Sequence, residues 1–232
     1  MLCAVTPFSV FLYTPPMIVT QPDRYLLNEQ IARYAKKLSG DLLDVGCGRC
    51  RRYDVLFKHV KSYRTLDRDT DWKPDLVGSA EAIPLQDKSI DSILCTQVFE
   101  HLPHPWIAIK ELFRVLKPGG YCLFTVPQTN ELHEEPHDYF RYTSYGLRSL
   151  FTEAGFTVEA MDQRGKYHCM MMQIRIRHLI NTWKPYENKL AMWILCPLSI
   201  VLNKYAIWRD GISTSPAVAL HTIGWCVLAK KS

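Results

Sequence analysis

The stretch that decides the fold is DLLDVGCGRCRR, residues 41–52, which packs an apolar run, two glycines, two cysteines at CxxC spacing and three arginines into twelve positions. Leu42, Leu43 and Val45 make a short strand suited to burial. A glycine turn directly after such a strand is where an open α/β sheet lets a ligand approach its backbone. The turn fits neither common phosphate loop. GxxxxGK[ST] is absent, and GxGxxG fails because Arg51 occupies the last glycine position. As a thiol motif, Cys47 with Cys50 lacks the second ligand pair that zinc requires. A redox pair stays open, because a helix N-terminus and nearby arginines would lower a thiol pKa. The simpler reading is two small residues filling a tight turn.

On either side of this loop the pattern alternates. Residues 22–38 carry Leu26, Leu27, Ile31 and Ala35 at helical spacing, ended by Ser39-Gly40. Downstream come a helix around 51–58, strands at SYRTL, DLVG and IDSILC, a helix over 105–117 and a strand at YCLFTV. Short apolar strands between helices imply a parallel sheet covered on both faces. KPGG after WIAIKELFRVL should stop the helix and turn the chain into the next strand. Residues 127–143, PQTNELHEEPHDYFRYT, break the periodicity as a functional loop above the strand ends would. A helix at 144–154, a strand at FTVEA, a basic helical region and a strand at GWCVLAK complete the chain.

Composition narrows the class. The chain has 232 residues, 47% hydrophobic and 22% charged, as an ordinary globular domain has. Its eight cysteines sit in apolar segments such as SILCTQVF, where a thiol acts as a small buried hydrophobe, and a reducing cytoplasm is expected. The uncharged N-terminal stretch is interrupted by Pro7, Pro15 and Pro16 and lacks a basic flank, so residues 1–21 are expected to form a loose arm before a domain over 22–232. The later apolar run LAMWILCPLSIVL, 190–202, is too short to span a bilayer. Net charge is +5, yet from Gln163 onward ten Lys/Arg face only Glu187 and Asp210.

The ordered blocks LLDVGCG, LDRD, GSAEAIPL, DSILCTQVFEHL, ELFRVLKPGGYCLFTVP and PHDYFRYT resemble the class I S-adenosylmethionine-dependent methyltransferases of the type 11 group. The resemblance runs over about residues 41–156. It implies a Rossmann-like α/β fold with a mostly parallel seven-stranded sheet, helices on both faces and an antiparallel last strand, here with a helical insertion at about 165–215. The family's DxGxGxG motif is broken at its last glycine by Cys50. S-adenosylmethionine is the implied cofactor, and no metal is required. Gly46, Cys47 and Gly48 would lie against its amino-acid and ribose part, with Asp44 near the ammonium end. Asp67 would accept from the ribose hydroxyls, while Ser79, Ala80 and Glu81 would meet the adenine edge and Thr96 and Gln97 would line the site. His101 reads equally as a surface histidine or as an acceptor-side group.

On the acceptor side, His137 has the most suitable ordinary pKa for a general base, and Asp138 would orient it or act itself. Tyr139, Arg141 and Tyr142 would shape the substrate pocket, unless PHDYFRYT is a structural plug with Asp138 paired to Arg141. The expected reaction is methyl transfer to a small-molecule, glycan or lipid-like acceptor. A nicotinamide-dependent oxidoreductase or a non-catalytic binding module on the same sheet are the rivals. The basic, Trp-bearing segment 165–215 is expected to be a lid or dimer face with its apolar side in protein, with peripheral membrane contact as the alternative. Nucleic acid is not expected as a partner.

Overall fold

The computed structural model describes residues 19–49 and 53–232. Seven strands, β1 (Asp41–Val45), β2 (Ser62–Asp67), β3 (Leu76–Val77), β4 (Ile90–Thr96), β5 (Leu116–Pro127), β6 (Phe156–Arg164) and β7 (Gly224–Lys231), form one sheet in the order β3-β2-β1-β4-β5-β7-β6. β1 to β5 pair in parallel, and β7 runs antiparallel to both β5 and β6. The helices are α1 (Pro22–Tyr34), α2 (Pro105–Val115), α3 (Ser144–Glu153), α4 (Tyr167–Trp183), α5 (Lys189–Ile212) and the short α6 (Pro216–Ala219). This is the Rossmann-like arrangement that the sequence implied.

Strand alternation divides the core between two faces. Leu43, Ile93, Phe124 and Val227 pack with α2 and α3 residues such as Ile109, Leu112, Leu147 and Phe151. Leu42, Leu94, Leu123 and Leu228 pack with Leu27, Ile31 and Leu38 from α1 and its extension. A buried polar tie locks α1 to the far edge. Arg164, with no exposed surface, donates to Asp23 at 2.9 Å and to Gln30 at 3.1 Å. Cys95, Cys122, Cys169 and Cys226 are buried free thiols, in keeping with their apolar surroundings.

Three local expectations are corrected. No α-helix forms at 53–58; Asp54–Leu56 is a single 3-10 turn, and α1 supplies the helical cover on that face of the sheet. KPGG does not separate α2 from β5, because β5 begins at Leu116 and the four residues bulge within it, with Ile90 opposite Leu116 but Ser92 opposite Tyr121. Glycine permits this: a Cβ on Gly120 would lie 2.7 Å from the Asp91 carbonyl oxygen. The apolar run beginning at Leu190 is part of a 24-residue helix, long and apolar enough to cross a membrane by length and composition. Most of the expected N-terminal arm lies outside the described residues; Val19 is buried among α4 and α5 residues, and the Thr20 amide donates to Ser199.

Candidate active site

The parallel strands β1, β2 and β4 end together, with Val45 opposite both Leu66 and Cys95. The strand order reverses between β1 and β4, which opens a crevice at this rim. Directly beyond β1, Gly46 and Gly48 adopt φ of +72° and +65°, a left-handed backbone that side chains resist. A Cβ on Gly46 would lie 2.3 Å from Val98, so only glycine fits there. At Gly48 the nearest atom would be Trp72 at 3.8 Å, leaving the bare backbone open to a ligand. Cys50 lies outside the described residues.

Two carboxylates bound this cradle. Asp67, at the end of β2 and 6% exposed, accepts from the Gly48 amide at 3.0 Å through one oxygen and from the Asp69 amide at 3.0 Å through the other. Each oxygen keeps a second lone pair for a ligand hydroxyl. Asp44, on the last turn of β1 into the loop, is buried and accepts from the Tyr63 hydroxyl at 2.5 Å. Burial and the charges of Asp44 and Asp67 push the Cys47 thiol up to about 12. That suppresses the thiolate which a redox role needs, so Cys47 serves as a small turn residue.

The segment GSAEAIPL, carrying the Ser79, Ala80 and Glu81 expected at the adenine edge, follows β3. Ser79 accepts from the Glu81 amide at 3.1 Å, folding a turn that buries Ala80, and the Glu81 carboxylate accepts from the His104 amide at 2.9 Å at the start of α2. This turn is held from below by α2. Arg114 donates to the carbonyls of Ile83 at 2.9 Å and Leu85 at 2.8 Å, and Glu111 accepts from the Ile83 amide at 2.9 Å. The ELFRV block thus positions the site without touching it. At the end of β4, Gln97 takes φ of +54°, an uncommon conformation for a non-glycine residue, beside Thr96.

The loop after β5 folds back over this rim. Asp138 accepts from both terminal nitrogens of Arg141 at 2.6 Å and from the His133 amide at 3.1 Å. The Arg141 guanidinium first of all holds the Asp138 carboxyl down at about 2, which makes it a weak proton acceptor and a structural anchor. Arg141 is correspondingly engaged rather than held out for a substrate. Tyr142 is buried with its hydroxyl on the Phe99 carbonyl at 3.0 Å, whereas Tyr139 and His137 are exposed and the His137 ring meets the Tyr139 hydroxyl at 3.2 Å.

The residue that sequence reading passed over is Glu100. It has no exposed surface, and both carboxylate oxygens are buried without a hydrogen-bond partner among the described residues. Burial pushes its carboxyl up to about 8. His101 stands next to it, Nε2 lying 3.9 Å from Glu100 and 3.7 Å from Glu134, while its Nδ1 meets the His137 carbonyl at 2.7 Å. A carbonyl only accepts, so Nδ1 carries a proton there. Glu100, His101 and His133 bring one donor atom each to within 4.8 Å of one another, a set that a proton or a divalent cation would find. The signal in the sequence was the EH pair in the turn that follows β4; its burial was not visible there.

The site fits S-adenosylmethionine: an open glycine cradle for the backbone approach, bounded by the carboxylates of Asp44 and Asp67. Comparison with known proteins agrees. A family defined as a methyltransferase domain matches residues 43–124. A probable S-adenosylmethionine-dependent methyltransferase of Mycolicibacterium smegmatis is 29% identical over 153 residues, covering 59% of this chain and 59% of that protein. A malonyl-[acyl-carrier protein] O-methyltransferase of Erwinia billingiae is 30% identical over 47% of this chain and 48% of its own. The chain therefore spans only about half to three-fifths of these relatives' length. Among solved structures, the [4+2]-cyclase SpnF aligns with a TM-score of 0.59 at 18% identity, over 90% of this chain and 80% of its own. A phosphoethanolamine N-methyltransferase of Haemonchus contortus aligns at 0.56 and 16%, over 88% and 52%. Such likeness shows the fold alone. Fold, glycine cradle and sequence match make the chain similar to the class I S-adenosylmethionine-dependent methyltransferases, with the family match itself covering residues 43–124.

Proposed function

We propose that the protein transfers a methyl group from S-adenosylmethionine to a small-molecule, glycan or lipid-like acceptor. The observation that carries the reading is the pairing of the left-handed Gly46–Gly48 cradle with the Asp67 carboxylate, 3.0 Å from the Gly48 amide at the end of β2. When bound, the cofactor supplies an electrophilic methyl group on a sulfonium that is its own leaving group. The chain's work is then to orient the donor, exclude water and take the acceptor's proton.

His101 is the group best placed for the last task. Its ring is 13% exposed, its Nδ1 is held by the His137 carbonyl, and Nε2 faces the buried Glu100. The loop carrying His137 and Asp138 is strapped over this histidine, since the amides of Tyr139 and Phe140 donate to the Glu100 carbonyl at 2.8 and 3.3 Å. In this reading Asp138 and Arg141 hold the loop's shape and His137 holds His101 through its backbone.

Titration calorimetry with S-adenosylhomocysteine and with NAD separates the transferase from an oxidoreductase on the same sheet. Saturable binding of the first and none of the second is expected; NAD binding alone would overturn the reading. Cofactor binding without turnover on any of a broad panel of hydroxyl, amine and carboxyl acceptors would favour the non-catalytic module.

A further inference from the structure

α5 is apolar on its outward face as well as its buried one. Met192, Leu195 and Ala206 pack inward together with Ser199, Asn203 and Asp210, the three polar residues each 6% exposed or less. Yet large apolar residues also face outward, with Leu190 71%, Trp193 70%, Val201 65%, Tyr205 51% and Trp208 55% exposed. A surface helix in water shows a polar, charged outward face instead. The outward stripe is continuous at helical spacing over a 24-residue helix, well beyond the scattered apolar residues of an ordinary surface. The expected lid or dimer face needs protein over this stripe, and none lies there among the described residues.

The surrounding charge says what covers the stripe. Residues 166–212 hold seven Lys/Arg against Glu187 and Asp210, and Asp210 is turned inward. Arg175, Lys184, Lys189 and Lys204 are exposed around the apolar face. Trp193 and Trp208 are about 22 Å apart along the axis at 1.5 Å per residue, so two indoles and the lysines frame one elongated patch. Aromatics and lysines beside a broad apolar face suit the headgroup region of a bilayer, where each basic side chain near an anionic leaflet adds about 1 kcal/mol. A second copy fits less well, because a two-fold contact would set the same lysines against one another and interface cores are depleted in lysine.

We propose that the outward face of α5 docks on an anionic lipid surface, with the helix lying along the interface. Its buried side argues for lying along rather than crossing. Ser199 meets the Thr20 hydroxyl at 3.0 Å, Asn203 donates to Thr20 at 2.9 Å, and Asp210 accepts from the amides of Lys166, His168 and Cys169 at 2.7 to 3.1 Å. Crossing would tear out all of these and bury Asp210 in hydrocarbon.

The test is flotation of the full chain with vesicles of phosphatidylcholine alone and of phosphatidylcholine mixed with phosphatidylglycerol. Co-flotation with the mixed vesicles is expected, and at least about tenfold weaker partition for the double variant Trp193→Ser, Val201→Ser, which loses two apolar anchors. Lys189→Glu combined with Lys204→Glu should weaken partition to the mixed vesicles and leave the phosphatidylcholine baseline unchanged. All substituted positions are exposed, and an unchanged circular dichroism melt verifies that each variant folds. Wild-type protein that stays at the bottom with anionic vesicles overturns the proposal. So does a concentration-dependent dimer that the Trp193, Val201 variant abolishes without any vesicle binding, which would give the face to a second copy.

Discussion

Single residues at the strand ends carry the chemistry, and two of them give sharp expectations. Asp67 braces the glycine loop through Gly48 and, in the proposed function, would offer its remaining lone pairs to the ribose. Asp67→Ala should weaken S-adenosylhomocysteine binding at least about tenfold, or about 1.4 kcal/mol, by calorimetry; unchanged affinity would remove it from the site. Glu100 has its carboxyl raised by burial from 4.5 to about 8. A raised carboxyl means that the folded state holds the proton more tightly than the unfolded one. Its contribution to stability is therefore fully present below about pH 4.5 and is lost as pH climbs towards 8. In chelator-containing buffer, denaturant melts of wild type and Glu100→Gln should diverge over that window, wild type losing on the order of a few kcal/mol relative to the variant. Parallel pH dependences would show that Glu100 does not titrate in place. Asp44, Gly46, Gly48 and Asp67 were legible in the sequence because a glycine turn and acids at strand ends leave a local signature. Glu100 was not, since its burial depends on Tyr139 and Phe140, some forty positions away, closing over it.

Among the elements, β1 to β5 and α2 were legible because each is a short apolar run or an amphipathic stripe with its own start and stop. The 3-10 turn at Asp54–Leu56 and the KPGG bulge were not, for both are settled by neighbours: α1 against one face of the sheet, Asp91 against Gly120. The α4–α5 hairpin depends on a contact that no local rule reveals. Asp210, at the end of α5, accepts three amides at the start of α4, satisfying donors that a helix leaves open and opposing its positive end. Asp210→Ala should lower thermal stability by about 1–3 kcal/mol through those orphaned amides. A melt superimposable on wild type would show that water replaces the carboxylate at no cost.

For the whole molecule, the hairpin and the site share one rim. β6 ends on the same side as the parallel strands, α4 leaves from there, and Arg177 on α4 pairs with Glu131 of the loop that covers His101. The α4–α5 hairpin and the loop over His101 are thus mechanically joined, and under the proposed docking an acceptor arriving at a membrane surface would meet both. The sequence by itself determined the sheet, the glycine cradle and the resemblance to the methyltransferases, because periodicity, turn residues and ordered motifs are local properties of the chain. Only the tertiary structure decided that Glu100 is buried beside His101, that Asp138 is committed to Arg141, and that α5 presents its apolar side outward. Each of those depends on which distant segment packs against the residue, and the sequence states a residue's chemistry without stating what will cover it.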